Sequence, residues 1–182
     1  MTNILMNTNQ KLFLAINIIG GILVLGSYYL GLKGGKGTDT LWGGVPQNIR
    51  PIYTLYMLVC AIGYFTFFFY IMRGLGVGSI SNTFFWGEKI FLILFAILLL
   101  FSSFWMPLVN LYISDPKTGI WVLVRIVLFV VALASIGIFI VLLTVTPKHS
   151  GIFYYASLVG LFWFSIHTGV LDALLWPYLW GK

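Results

Sequence analysis

Residues 42–72 read WGGVPQNIRPIYTLYMLVCAIGYFTFFFYIM. A polar, Gly- and Pro-bearing entry gives way at Pro51 to an uncharged run that ends at Arg73. At 1.5 Å per residue, a helix over 51–72 is long enough to cross a hydrocarbon core of about 30 Å. Within it Tyr53, Tyr56, Cys60, Tyr64 and Phe67 recur at steps of three and four, so they share one helix face. A phenol hydroxyl in hydrocarbon is costly unless it finds a partner. The tyrosine face is therefore expected to look inward, at other helices or at something they enclose.

The rest of the chain repeats the pattern. Sixty per cent of its 182 residues are hydrophobic and 8% charged, with a mean hydropathy of +1.03, outside the range of soluble domains. Four further apolar runs, 12–32, 90–113, 120–146 and 152–180, are each long enough to span. The expected architecture is all-α: a five-transmembrane-helix bundle forming one membrane domain over residues 1–182. The first run is long for a signal peptide's apolar stretch and no clear small-x-small cleavage site follows it, so it reads as a span.

The ten Lys and Arg residues are scattered singly between the runs. That spacing argues against nucleic acid and for topology markers at an anionic lipid surface. With five spans, Lys33, Lys36, Arg50, Lys117, Arg125 and Lys182 share one face, and Lys11, Arg73, Lys89 and Lys148 the other. This bias favours a cytosolic first loop and C-terminus. Cys60, the single cysteine, reads as a small packing residue. Phe84, Phe85 and Trp86 before Glu88 and Lys89 read as an interfacial anchor. Pro107 interrupts the third run, where Ser102 or Ser103 is placed to help satisfy the freed carbonyl.

Few residues here carry chemistry. No HExxH, GxSxG, phosphate-binding glycine loop or metal-spaced Cys/His/carboxylate cluster occurs, and the expectation is a protein without catalytic or metal residues. Arg125 and Asp172 lie below the expected membrane surface, ~8 Å and ~12 Å in from their helix ends. Because their helices run antiparallel, a buried ion pair between them is one expectation; the other is that Arg125 snorkels and Asp172 stays interfacial. His167 sits deeper, as a satisfied buried histidine or a ligand contact. On an α-helix it lies about 140° from Asp172, which argues against a dyad.

Aromatics remain to be explained: seven Trp, ten Tyr and sixteen Phe. Trp42, Trp86, Trp121, Trp176 and Trp180 fall near span ends as an interfacial belt. Tyr53, Tyr56, Tyr64, Trp105, Tyr155, Trp163 and His167 are the candidate lining of an internal site for a hydrophobic small molecule. Ordinary aromatic helix packing is the alternative. A cholesterol-type pattern occurs three times, as Leu174–Tyr178–Lys182, Leu23–Tyr28–Lys33 and Val109–Tyr112–Lys117, and so discriminates little.

The order of landmarks resembles the translocator protein family (TspO, or peripheral benzodiazepine receptor). PIYTLYM at 51–57 is similar to that family's Pro–Trp–Leu–Tyr–Met entry to its second helix. FWMPLVN at 104–110 resembles its Trp-x-Pro-bearing third-helix end, and Leu174–Tyr178–Lys182 falls where the family has its sterol motif. The family's Trp-x-Pro-Pro loop is reduced here to Trp42-Gly-Gly-Val-Pro46, and His167 and Asp172 replace its helix-five asparagines. The resemblance implies a five-helix bundle, often a homodimer, whose pocket opens toward the first loop and takes a porphyrin or other tetrapyrrole, or a sterol. It implies Trp42 and Pro46 in the pocket lid and Tyr53, Tyr56, Trp105, Tyr155 and Trp163 on its walls. A subunit or assembly factor of a larger membrane complex, or a small transporter, is the alternative function.

Overall fold

The computed structural model describes residues 6–34, 37–72, 81–82, 89–146 and 151–180. Over these the chain is mostly helical, with a two-residue antiparallel pairing of β1 (Ser81–Asn82) with β2 (Val145–Thr146). The helices are α1 (Thr8–Gly34), the short α2 (Thr38–Leu41), α3 (Arg50–Tyr70), α4 (Lys89–Ser114), α5 (Thr118–Thr144) and α6 (Ile152–Ile166). The last continues through a π-helical segment, His167–Leu175, into α7 (Trp176–Leu179). Five helices, the last running Ile152–Leu179, are long and apolar enough to cross a membrane. The protein is a multi-pass integral membrane protein. The Phe84–Trp86 anchor and Lys36, Arg73, Lys148 and Lys182 lie outside the described residues.

Local chemistry sets the helix ends a little beyond the apolar runs. Asn7 Oδ1 accepts from the Gln10 N–H at 2.8 Å and Gln10 Oε1 accepts from the Asn7 N–H at 2.9 Å. This reciprocal cap satisfies amide donors that an unstarted helix leaves free, and it begins α1 at Thr8. Pro51 occupies the first turn of α3, where its missing N–H is not needed. Pro107 lies within α4. Ser103 donates to Leu100 O at 2.7 Å, so its hydroxyl serves a carbonyl one turn earlier and not its own, the one the proline frees.

Packing runs in the order α1–α4–α5–α6–α3, so the first two spans sit at the ends of the series instead of against each other. Glycines permit the tightest crossings. A methyl group on Gly63 would lie 2.7 Å from Gly160 Cα, so α3 and α6 touch backbone to backbone. On α1, Gly20 packs under Leu99 and Gly31 under Met106 and Asn110. Eleven residues is close to three turns, so these two glycines form a stripe for α4 that Gly21 and Gly26 do not join. The buried side chains form two clusters. Phe13, Phe67, Phe91, Phe95, Ile138 and Leu142 anchor one, and Val45, Tyr53, Val109, Val124, Ala173 and Trp176 the other, under the first loop. Large apolar side chains such as Ile19, Ile22, Ile52, Ile62, Leu133 and Val159 point outward, as a lipid-facing surface requires.

Candidate functional site

The gap between α1 and α3 holds a cavity of about 770 Å³. The two helices join at one end. Phe13 stacks on Phe68 with centroids 5.7 Å apart, Gln10 Nε2 donates to Met72 O at 3.4 Å, and the Tyr64 hydroxyl donates to Asn17 Oδ1. Toward the first loop they leave room between them. Ile18, Val24, Leu25 and Tyr28 form the α1 wall, and Tyr53, Met57, Cys60 and Ala61 the α3 wall. The floor is Leu99, Ser102, Trp105 and Met106 of α4, with Leu128 and Val131 of α5 behind.

The first loop closes the near end. Thr38, Leu41 and Trp42 line the cavity there. Arg50 holds this loop in three ways: Nη1 meets Asp39 Oδ1 at 2.7 Å, Nε donates to Val45 O at 3.1 Å, and the guanidinium lies 5.6 Å from the Trp42 ring centroid. Trp176 Nε1 donates to Leu41 O at 3.1 Å, which ties the loop to the last span. Around that latch Trp105, Trp121, Trp176 and Trp180 form a run of ring contacts, with Trp176 and Trp180 only 4.6 Å apart.

The polar wall comes from the π segment, which contributes His167, Thr168 and Asp172. An α-helix turns residues five apart away from each other, whereas a π-helix bonds i to i+5 and stacks them. His167 Nε2 and Asp172 Oδ2 accordingly face one another at 3.5 Å, which corrects the expectation that helix geometry keeps them apart. Tyr53 secures the segment by donating to Leu171 O at 2.7 Å, the carbonyl that also takes the Trp176 N–H. Thr168 Oγ1 lies 2.7 Å from Ser135 Oγ of α5. The His167 ring is stacked on Tyr56 at 5.7 Å and meets Tyr53 edge-on at 6.1 Å, and its Nδ1 is buried without a hydrogen-bond partner. Trp105 Nε1 is likewise unpartnered.

The residues singled out from the sequence therefore divide. Trp42, Tyr53, Tyr64, Trp105, His167 and Asp172 line the cavity. Tyr56 and Trp163 pack on each other between α3 and α6, at 5.6 Å, instead of lining it. Tyr155 is 58% exposed on the outer face of α6, and Pro46 is exposed on the first loop; neither reaches the cavity. The anticipated pair between Arg125 and Asp172 is not formed among the described residues. Arg125 projects outward from α5, and the Asp172 carboxylate faces the histidine on its own helix. Asn17, Tyr28, Ser102, Thr168 and Trp176 were missed as lining residues. Asn17 carried a signal, a carboxamide within an apolar run, whereas Trp176 looked like an interfacial belt residue.

Among the described residues no group of three His, Cys, Asp or Glu side chains is placed to hold a metal ion. Compared with family models, curated proteins and solved structures, the chain matches none.

Proposed function

We propose that this membrane protein binds a hydrophobic small molecule, of tetrapyrrole or sterol size, in the cavity between its first two spans, in the manner of the translocator protein family it resembles. The supporting observation is the cavity itself. Its volume of about 770 Å³ falls within the ~300–1,000 Å³ of small-molecule sites, and its apolar walls carry a few convergent polar groups. Binding, not catalysis, is the role that this sparse polar set suits.

Titrating the protein in lipid nanodiscs with a porphyrin and with a sterol, while following tryptophan emission, tests the reading. Trp42, Trp105 and Trp176 line the cavity, so occupancy should give saturable quenching. Tyr53→Ala and Trp105→Ala should weaken it. Titrations that never saturate with either compound count against the proposal.

A second reading rests on the outer face of α6, where Tyr155, Val159 and Phe162 are exposed at steps of four and three. Such a row suits a partner helix in a larger complex. Native mass spectrometry from source membranes separates the two, since a stoichiometric heteromer favours the partner.

A further inference from the structure

The cavity's charge is unlike that of the chain around it. The protein carries a formal net charge of +6, yet among the described residues no Lys or Arg lines the cavity and Asp172 is the one acidic wall residue. The described carboxylates are Asp39, Asp115 and Asp172. Asp39 meets Arg50 at 2.7 Å and Asp115 meets Lys117 at 2.6 Å, both near the ends of spans. Among the described residues Asp172 pairs only with the His167 ring, at 3.5 Å, and its side chain keeps 31% of its surface open. Beside it His167 is 7% exposed, and Trp105 belongs to the same lining. Tyr28, Trp42, Tyr53 and Trp176 add aromatic surface to the same walls.

This arrangement discriminates between classes of hydrophobic ligand. A ligand carboxylate needs a cation or several donors, and here it would meet a like charge in a medium that screens poorly. A neutral hydroxyl would engage His167 or Asp172 but bring no opposite charge. A protonated amine does both: it donates to the carboxylate and presents a cation to aromatic faces. We propose that the preferred occupant is a lipophilic amine, its ammonium group against Asp172 and its apolar body between α1 and α3. This rests on the cavity being a ligand site, and it names the chemistry of the ligand's polar end.

The test uses three sterols identical except for an amine, a hydroxyl or a carboxylate at one position. Each is titrated into the full-length protein in nanodiscs of zwitterionic phosphatidylcholine, so that lipid charge does not concentrate the amine. Tryptophan emission is the readout. The amine should bind about 10- to 100-fold more tightly than the alcohol, with the carboxylate weakest. In Asp172→Asn the amine's advantage over the alcohol should collapse. Equal affinities for all three, or a carboxylate that binds as well as the amine, would overturn the amine proposal and leave the binding site standing. Saturation by none of them would overturn the amine proposal, and if a porphyrin also fails to saturate the binding site goes with it. The order of the three in the unmodified protein decides the matter even if Asp172→Asn fails to fold.

Discussion

Single hydroxyls and charges in this protein act through the partner they meet, and depth alone does not reveal the partner. Tyr53 is buried and donates to Leu171 O at 2.7 Å, bracing the π segment from α3. Tyr53→Phe should cost about 1 kcal/mol in unfolding from mixed micelles, the usual net worth of one hydrogen bond. Arg125 gives the opposite forecast. Were it the counter-charge of a buried Asp172, its removal would cost about 3–5 kcal/mol. Exposed on the outer side of α5, it should instead tolerate Arg125→Gln to within about 0.5 kcal/mol in the same assay. A loss of several kcal/mol would restore the pair. The sequence put both residues at comparable depth, but helix rotation was not legible from it.

At the scale of elements, the last span combines two helical geometries, and the change falls where its polar residues are. Deleting Val170, an exposed residue of the π segment, should return the span to α-geometry. His167 and Asp172, then four residues apart, would still share a face, and Trp176 would keep its phase toward Leu41 O, because the deletion removes the one residue that the wider turn accommodates. The expected result is unchanged far-ultraviolet circular dichroism, unshifted tryptophan emission and retained ligand binding; a red shift would mean that the wide turn itself holds Trp176 in place. The crossing of α3 and α6 makes a different demand. Gly160→Val would drive a side chain into the Gly63 backbone and should destabilise the bundle by about 1–3 kcal/mol, read by the same unfolding assay. Unchanged stability there would mean that the two helices lie farther apart. Sequence periodicity found the α3 face carrying Tyr53, Cys60 and Phe67, all buried. Periodicity assumes one pitch throughout, and so it mis-set the relation between His167 and Asp172.

For the molecule as a whole, access to the cavity depends on the first loop and on the separation of α1 from α3. Arg50 does not line the cavity, yet it holds Asp39, the Val45 carbonyl and the Trp42 ring together above it. Arg50→Gln should therefore speed ligand release by about 2- to 10-fold with little change in the bundle's unfolding, measured by stopped-flow tryptophan emission. Release at the wild-type rate would show that ligands leave by another route, the gap between the first two spans being the obvious one.

Length and apolarity by themselves established five membrane-crossing helices and their limits to within a few residues, because hydrocarbon requires each backbone amide to be satisfied within its own helix. They also established that the tyrosine side of the second span turns inward, since exposed phenols would be costly in lipid. Which inward residues face a cavity and which pack against a neighbour was decided only by the tertiary structure. Tyr53 and Tyr64 reach the open space while Tyr56 stacks on His167, because α3 leans on α6 at its glycine and stands away from α1. A chain records the spacing of its side chains; the empty volume between two helices depends on how each packs against its other neighbours.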